Sequence, residues 1–196
     1  MNIVILGLGS LGSNLLMQLV QKYPRATFTG IDFDKVEERN LATQQYLIPH
    51  VGMKKVDAMS ILIGMKGKTT FFPRNQKIDK LADLKKLVPA APALLVDCFD
   101  NMESRQIIKS AYPDISTDIL HVGFSPQYAA EIIWNENYTV PNNIPKEQND
   151  ICEMAEAVPF INFVVSLACL NISNFIENDV KKDIIIINKT TIRYLN

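Results

Sequence analysis

The chain has 196 residues, 47% hydrophobic and 21% charged, with a formal net charge of −1, which fits one soluble globular domain around a single core. So neutral a balance gives no electrostatic case for DNA, RNA or an anionic membrane as partner. Its cysteines, Cys98, Cys152 and Cys169, are too few and too odd in number for a disulfide framework and form no C-x-x-C pair, so a reducing, cytoplasmic setting without zinc is expected.

Residues 2–6 form an apolar run that reads as a buried strand. No basic stretch precedes it, so no secretory leader is expected. No apolar run is expected to reach the ~18–20 residues that cross a bilayer. After the strand comes the turn Gly7-Leu8-Gly9-Ser10-Leu11-Gly12. A helix follows over 10–22, with Leu11, Leu15, Leu16, Leu19 and Val20 on one stripe and Pro24 ending it. Residues 26–32 make a second strand ending on Asp32. This β-α-β unit predicts parallel strands and a right-handed crossover.

Residues 33–51 are polar and irregular, long for a connection in a compact domain, which points to function. A helix is predicted over 52–65, a strand over 69–72, and a helix over 78–87 stopped by Pro89. The run 94–97 is the next strand and 101–112 the next helix. Strands follow at 119–122 and 129–134. Residues 137–150 read as a polar, Pro-containing loop. Residues 155–176 read as a helix that is apolar all round, hence deeply buried or part of an interface. Residues 184–187 and 191–195 predict a terminal hairpin about Asn188-Lys189. The fold class is α/β: one Rossmann-like domain over 1–196, mainly parallel, with helices on both faces and antiparallel strands near the C-terminus.

Three features carry chemistry. Gly7, Gly9 and Gly12 make a G-x-G-x-x-G turn between strand and helix, where backbone amides approach a phosphate at the positive end of the helix dipole. Asp32, twenty residues on and at a strand end, suits hydrogen bonding to ribose hydroxyls. Asp34 either lines the same site or caps the loop. In Asp97-Cys98-Phe99-Asp100-Asn101, with Arg105 four residues beyond, two carboxylates and an amide at a strand's carboxyl end suit Mg²⁺ and a phosphate-rich ligand. His121, in an apolar strand, reads as a satisfied core histidine. Trp134 reads as core or pocket wall, Cys98 as packing and Cys169 as core.

The stretch from Asp32 to Gln44 goes beyond a dinucleotide fingerprint. It resembles the D-x-D-x-V-x-x-x-N-L-x-R-Q signature of the ThiF/MoeB/HesA family, which includes the ubiquitin-activating enzymes. The segment 51–55 is similar to the family's G-x-x-K, and Asp97–Arg105 to its D-x-x-D-N-x-x-x-R. The late apolar helix also fits. The resemblance covers most of residues 1–177.

It implies ATP- and Mg²⁺-dependent adenylation of the C-terminal glycine carboxylate of a small ubiquitin-like or sulfur-carrier protein, with release of pyrophosphate. By motif match, Asp100 would hold Mg²⁺, Lys55 would contact the triphosphate, and Asp32 would bind ribose. Asn40 and Gln44 would line the nucleotide site beside Gly7, Gly9, Gly12, Asp34 and Asn101. Arg105 is read as orienting Asp100 or its loop. The resemblance also implies a homodimer or a paired subunit. Cys152, just before the late helix, either takes an acyl group from the activated carrier or is a structural loop cysteine.

Three departures stand out. Thr43 occupies the arginine position of N-L-x-R-Q, with Arg39 four residues earlier as a substitute if that segment is helical. The family's helix ahead of the first strand, and its zinc-binding cysteine pairs, are not in this sequence. Two rival readings follow. One is a degenerate, partner-dependent member that binds without adenylating alone. The more distant one is an NAD(P)-dependent oxidoreductase, which explains Gly7–Gly12 and Asp32 but not Asn40, Gln44, Lys55 or Asp100-Asn101.

Overall fold

In the computed structural model of the chain, the described residues are 1–88, 94–115, 117–125, 127–140, 154–189 and 191–195, with backbone alone for 112–114. The element order is β1 (Asn2–Leu6), α1 (Ser10–Lys22), β2 (Thr27–Ile31), α2 (Lys55–Lys66), β3 (Thr70–Arg74), α3 (Leu81–Leu87), β4 (Leu94–Asp97), α4 (Met102–Ile115), β5 (Ile119–Phe124), β6 (Ala130–Trp134), α5 (Val158–Asn178), β7 (Asp183–Asn188) and β8 (Thr191–Leu195). The strands form one eight-stranded sheet in the order β3-β2-β1-β4-β5-β6-β7-β8. Pairings from β3 through β5 are parallel; those from β5 to β8 are antiparallel. The Rossmann-like expectation with an antiparallel C-terminal extension is met.

The central strands are apolar on both faces because both faces are covered. Ile3, Ile5, Leu94, Val96, Leu120 and Val122 pack against α1, α2 and α5. Their alternates Val4, Leu6, Leu95 and Ile119 pack against α3 and α4 through Leu84, Ile108 and Ala111. β3 runs on through Pro73, which an edge strand tolerates because its outer side needs no amide.

The segment 33–51 is not wholly irregular: 3-10 turns form at Glu38–Ala42 and Ile48–His50. The 155–176 prediction resolves into a 3-10 turn, Ala155–Ala157, leading into α5. By length and composition Ala155–Asn178 is apolar enough to cross a membrane, which corrects the expectation that no segment would be. Its apolar residues are used elsewhere: Phe160, Ile161, Val164, Val165, Ala168 and Ile172 are buried in the core shared with α1. The outer positions Asn162, Ser166, Asn174 and Glu177 are polar, with Pro159 and Leu170 the apolar exceptions.

Candidate nucleotide site

Three loops begin side by side at the carboxyl edge of the sheet. Leu6 pairs with Ile31 on one side and Asp97 on the other. The next residues are tied across: the Gly7 amide donates to the Ile31 carbonyl at 2.9 Å and the Cys98 amide to the Leu6 carbonyl at 2.8 Å. From β1 the chain runs one way through β2 and β3, then crosses back to β4 on the other side of β1. Open α/β sheets bind ligands in the crevice at such a reversal.

The glycine turn is built for close approach. Gly7 has φ of +83°, and a Cβ on Gly12 would lie 1.8 Å from the Gly7 carbonyl oxygen. At Gly9 a Cβ would meet nothing within 4 Å. Gly9 is also the N-cap of α1 and supplies no side-chain hydrogen bond. The first amides of α1 and the positive end of its dipole therefore face the crevice without a capping side chain, an arrangement that suits a phosphate.

Two side chains hold the turn. Asp32 Oδ2 accepts the Leu8 amide at 2.7 Å, and the Tyr46 hydroxyl donates to the Leu8 carbonyl at 2.9 Å. The other Asp32 oxygen accepts the Asp34 amide at 2.8 Å. Burial pushes the Asp32 carboxyl up from its ordinary value; Lys55 and the two amides oppose that without cancelling it. Burial likewise drives the Tyr46 hydroxyl well up, and Asp32 and Asp34 add to it.

Asp34 and Lys55 form a second tie. The Lys55 amide donates to the Asp34 carbonyl at 2.9 Å, and Lys55 Nζ lies 3.4 Å from Asp34 Oδ2. The Lys55 side chain is 9% exposed and that of Asp34 51%. The cation is thus held at the start of α2, next to the Asp32 loop.

The segment 40–46 docks onto the first turns of α1. Asn40 is buried, and its Oδ1 accepts the Glu37 amide at 2.9 Å, making it a cap for the 3-10 turn. Asn14 Nδ2 donates to the Ser10 and Thr43 carbonyls, and Gln45 Nε2 donates to Asn14 Oδ1 at 2.6 Å. Thr43, buried, shares a 3.0 Å hydroxyl contact with Ser10. Arg39 lies in the 3-10 turn, where its Nε meets Glu37 at 2.7 Å. Gln44 Oε1 is buried with no hydrogen-bond partner among the described residues. A buried acceptor left so costs free energy, and a ligand hydroxyl or amino group would satisfy it.

The loop after β4 separates the two carboxylates. Asp97 is fully buried: Oδ2 meets His121 Nδ1 at 2.8 Å, and Oδ1 accepts the Phe99 amide at 3.1 Å. It therefore organises the loop from inside, which corrects the expectation of a paired Asp97–Asp100 ligand site. Asp100 stands exposed at the tip. Asn101 Oδ1 accepts the Ser104 amide at 2.8 Å and so caps α4. Arg105 is buried, and its Nε donates to the Phe99 carbonyl at 2.6 Å, which realises its expected hold on the loop.

His121 is the satisfied core histidine expected, with Nε2 2.8 Å from Asn135 Oδ1. Burial and the neighbouring Asp97 push the Cys98 thiol far up, so it behaves as packing. Cys152 lies outside the described residues. Among the described residues no group of three or more His, Cys, Asp or Glu gathers to hold a metal. Magnesium in nucleotide sites takes one or two carboxylates, with phosphates and waters supplying the rest, so Asp100 alone is chemically sufficient on the protein side. Sequence reasoning missed Tyr46 and the inward turn of Asp97. The signal for the second was Asp97 and His121 on neighbouring parallel strands, where they fall in register.

Solved structures share this architecture. E. coli MccB superposes with a TM-score of 0.80 at 17% identity, covering 100% of this chain and 62% of that one. E. coli MccB with ATP gives 0.79 at 19%, covering 100% and 63%. PaaA gives 0.78 at 18%, again covering 100% and 63%. The likeness at these identities is one of fold, and the chain spans less than two thirds of the length of each. Among curated proteins no sequence matches. The family model for the ThiF family matches residues 1–192, and the chain belongs to that family.

Proposed function

We propose that the chain is an adenylyltransferase that uses ATP and Mg²⁺ to activate the C-terminal carboxylate of a small ubiquitin-like or sulfur-carrier protein ending in glycine. The observation that carries this reading is the meeting of the uncapped α1 turn, Asp32, the Asp34–Lys55 pair and the Asp97–Asn101 loop in one crevice at the β1–β4 reversal. The orphaned Gln44 Oε1 adds to it. The family supports adenylyl chemistry, and one of the similar structures is of MccB with ATP, another of MccB with AMPCPP and MccA.

In such a reaction a carboxylate oxygen bonds to the α-phosphorus. The bond from that phosphorus to the β-bridging oxygen breaks, and pyrophosphate leaves. No proton needs to move, so catalysis is positioning and charge neutralisation. The α1 amides would receive phosphate oxygens, and Lys55 would turn from Asp34 toward them as a point charge. Asp32, with lone pairs left beside its two amide bonds, would accept ribose hydroxyls. Asp100 would hold Mg²⁺, which neutralises phosphate charge when bound.

A second reading keeps the nucleotide site but not self-sufficiency. Thr43, at the family's arginine position, is buried against Ser10, and Arg39 is engaged by Glu37. A second copy or another subunit would then bring the missing cation. ATP–pyrophosphate exchange with a carrier ending in Gly-Gly tests both. Exchange by the chain alone supports the first reading, and exchange only on adding a partner supports the second. Thermal stabilisation by NAD⁺ or NADP⁺ and not by Mg-ATP would overturn both.

A further inference from the structure

A closed ring of contacts runs under the Asp97–Asn101 loop. Phe99 is held at both ends of its backbone: its amide donates to Asp97 Oδ1 at 3.1 Å, and its carbonyl accepts Arg105 Nε at 2.6 Å. Asp97 continues to His121 at 2.8 Å. Arg105 continues to the Tyr138 hydroxyl, its Nη1 donating at 2.8 Å. The ring closes because Tyr138 stacks on His121, with centroids 3.7 Å apart and planes 11° from parallel.

We propose that Tyr138 is a positioning residue of the adenylation site, acting through Arg105 on the peptide plane that precedes Asp100. This rests on the adenylation reading above. The Phe99 carbonyl and the Asp100 amide share one rigid peptide unit. Whatever fixes that oxygen fixes the Asp100 amide and Cα, the point from which its carboxylate leaves the loop.

Arg105 can do this only if its guanidinium cannot drift. Nη2 donates to the Val122 carbonyl at 2.8 Å, and Nη1 also meets Glu131 at 3.2 Å. Tyr138, 2% exposed, supplies a further contact through its hydroxyl at Nη1. Gly123 makes the room: a Cβ there would lie 2.7 Å from Nη2. Burial works against the Arg105 charge, but Asp97, Tyr138 and Glu131 outweigh it and keep it firmly cationic. Simple packing would need none of this, since a phenylalanine at 138 would stack on His121 equally well. The hydroxyl is what Arg105 uses.

The test compares Tyr138→Phe and Gly123→Ala with the wild type. The first removes the hydroxyl and keeps the stack, and the second crowds the guanidinium at Nη2 and Nη1. Both should raise the Mg²⁺ concentration for half-maximal ATP–pyrophosphate exchange several-fold, with a smaller change in the ATP KM at saturating Mg²⁺. Both should also speed amide hydrogen exchange across residues 97–101 in the ligand-free protein. An unchanged Mg²⁺ midpoint with unchanged loop protection in Tyr138→Phe overturns the proposal, whatever Gly123→Ala does. If the wild type supports no pyrophosphate exchange, alone or with a partner subunit, the adenylation reading fails on its own. Loop protection then decides alone whether Tyr138 positions residues 97–101.

Discussion

Asp32 Oδ2 accepts the amide of Leu8 at 2.7 Å, across 24 residues of sequence. The contact ties the end of β2 to the middle of the glycine turn, so the turn is shaped before any phosphate arrives. Preorganisation of this kind lowers the ordering cost that binding has to meet. The same carboxylate serves the fold and, on the proposed function, the ribose.

Asp32→Asn isolates the carboxyl's part in the fold through pH. Burial raises the native pKa of Asp32 above its ordinary value of 3.8. Between the two values the native state binds more protons than the unfolded state, so the carboxyl's contribution to stability falls as pH rises through that window. Asparagine does not titrate. The unfolding free energy of wild type minus Asp32→Asn should therefore be largest below about pH 4 and decline as pH rises, on top of a constant offset from the altered hydrogen bonds. Urea unfolding of both proteins across mildly acidic pH reads this slope. A difference that grows with pH would show that Lys55 and the two amides outweigh burial.

Tyr46→Phe removes only the hydroxyl that donates to the Leu8 carbonyl. The expected cost is about 0.5–1.5 kcal/mol for the lost hydrogen bond, a few degrees of Tm at this chain length. If the turn is held for a nucleotide, the Mg-ATP-induced rise in Tm should shrink as well. A variant with lowered Tm and an undiminished nucleotide shift would make Tyr46 purely structural.

The sheet was legible in the sequence because its strands are short apolar runs bounded by Gly, Asp and Pro. Residues 2–6 and 94–97 were read to the residue. The segment 33–51 was legible as functional but not as structure. Its shape is set by side-chain bonds to α1, such as Asn14 to Thr43 and Tyr46 to Leu8, which span 29 and 38 residues. No local pattern encodes such distances. The two aspartates of the β4 loop looked alike for the same reason. Only the pairing of Asp97 with His121 across β4 and β5 turns one inward and leaves Asp100 at the tip.

Asp100→Ala should leave the fold intact, because the side chain is exposed; substitutions of that kind fall within about 0.5 kcal/mol. On the proposed function, Mg²⁺-dependent pyrophosphate exchange should fall by about 10²–10³-fold, the scale of losing one well-placed electrostatic contact. Wild-type exchange rates in this variant would remove Asp100 from the metal site.

Gly12→Ala and Gly9→Ala should part company. At Gly12 the new methyl would lie 1.8 Å from the Gly7 carbonyl oxygen. The turn must open or α1 must shift, at a cost of about 1–3 kcal/mol or more, and stability should drop with or without ligand. At Gly9 the methyl meets nothing within 4 Å and the backbone is extended, at φ −77° and ψ −151°, away from the left-handed region that favours glycine. The apo protein should then melt close to the wild type. A methyl there would instead occupy the space in front of the first amides of α1, where a phosphate would come closest. Mg-ATP affinity should fall roughly tenfold, about 1.4 kcal/mol, read by calorimetric titration. Full nucleotide affinity in Gly9→Ala would mean that the phosphates do not lie against the α1 turn, and the ligand's place in the crevice would have to be redrawn around Lys55 and Asp100.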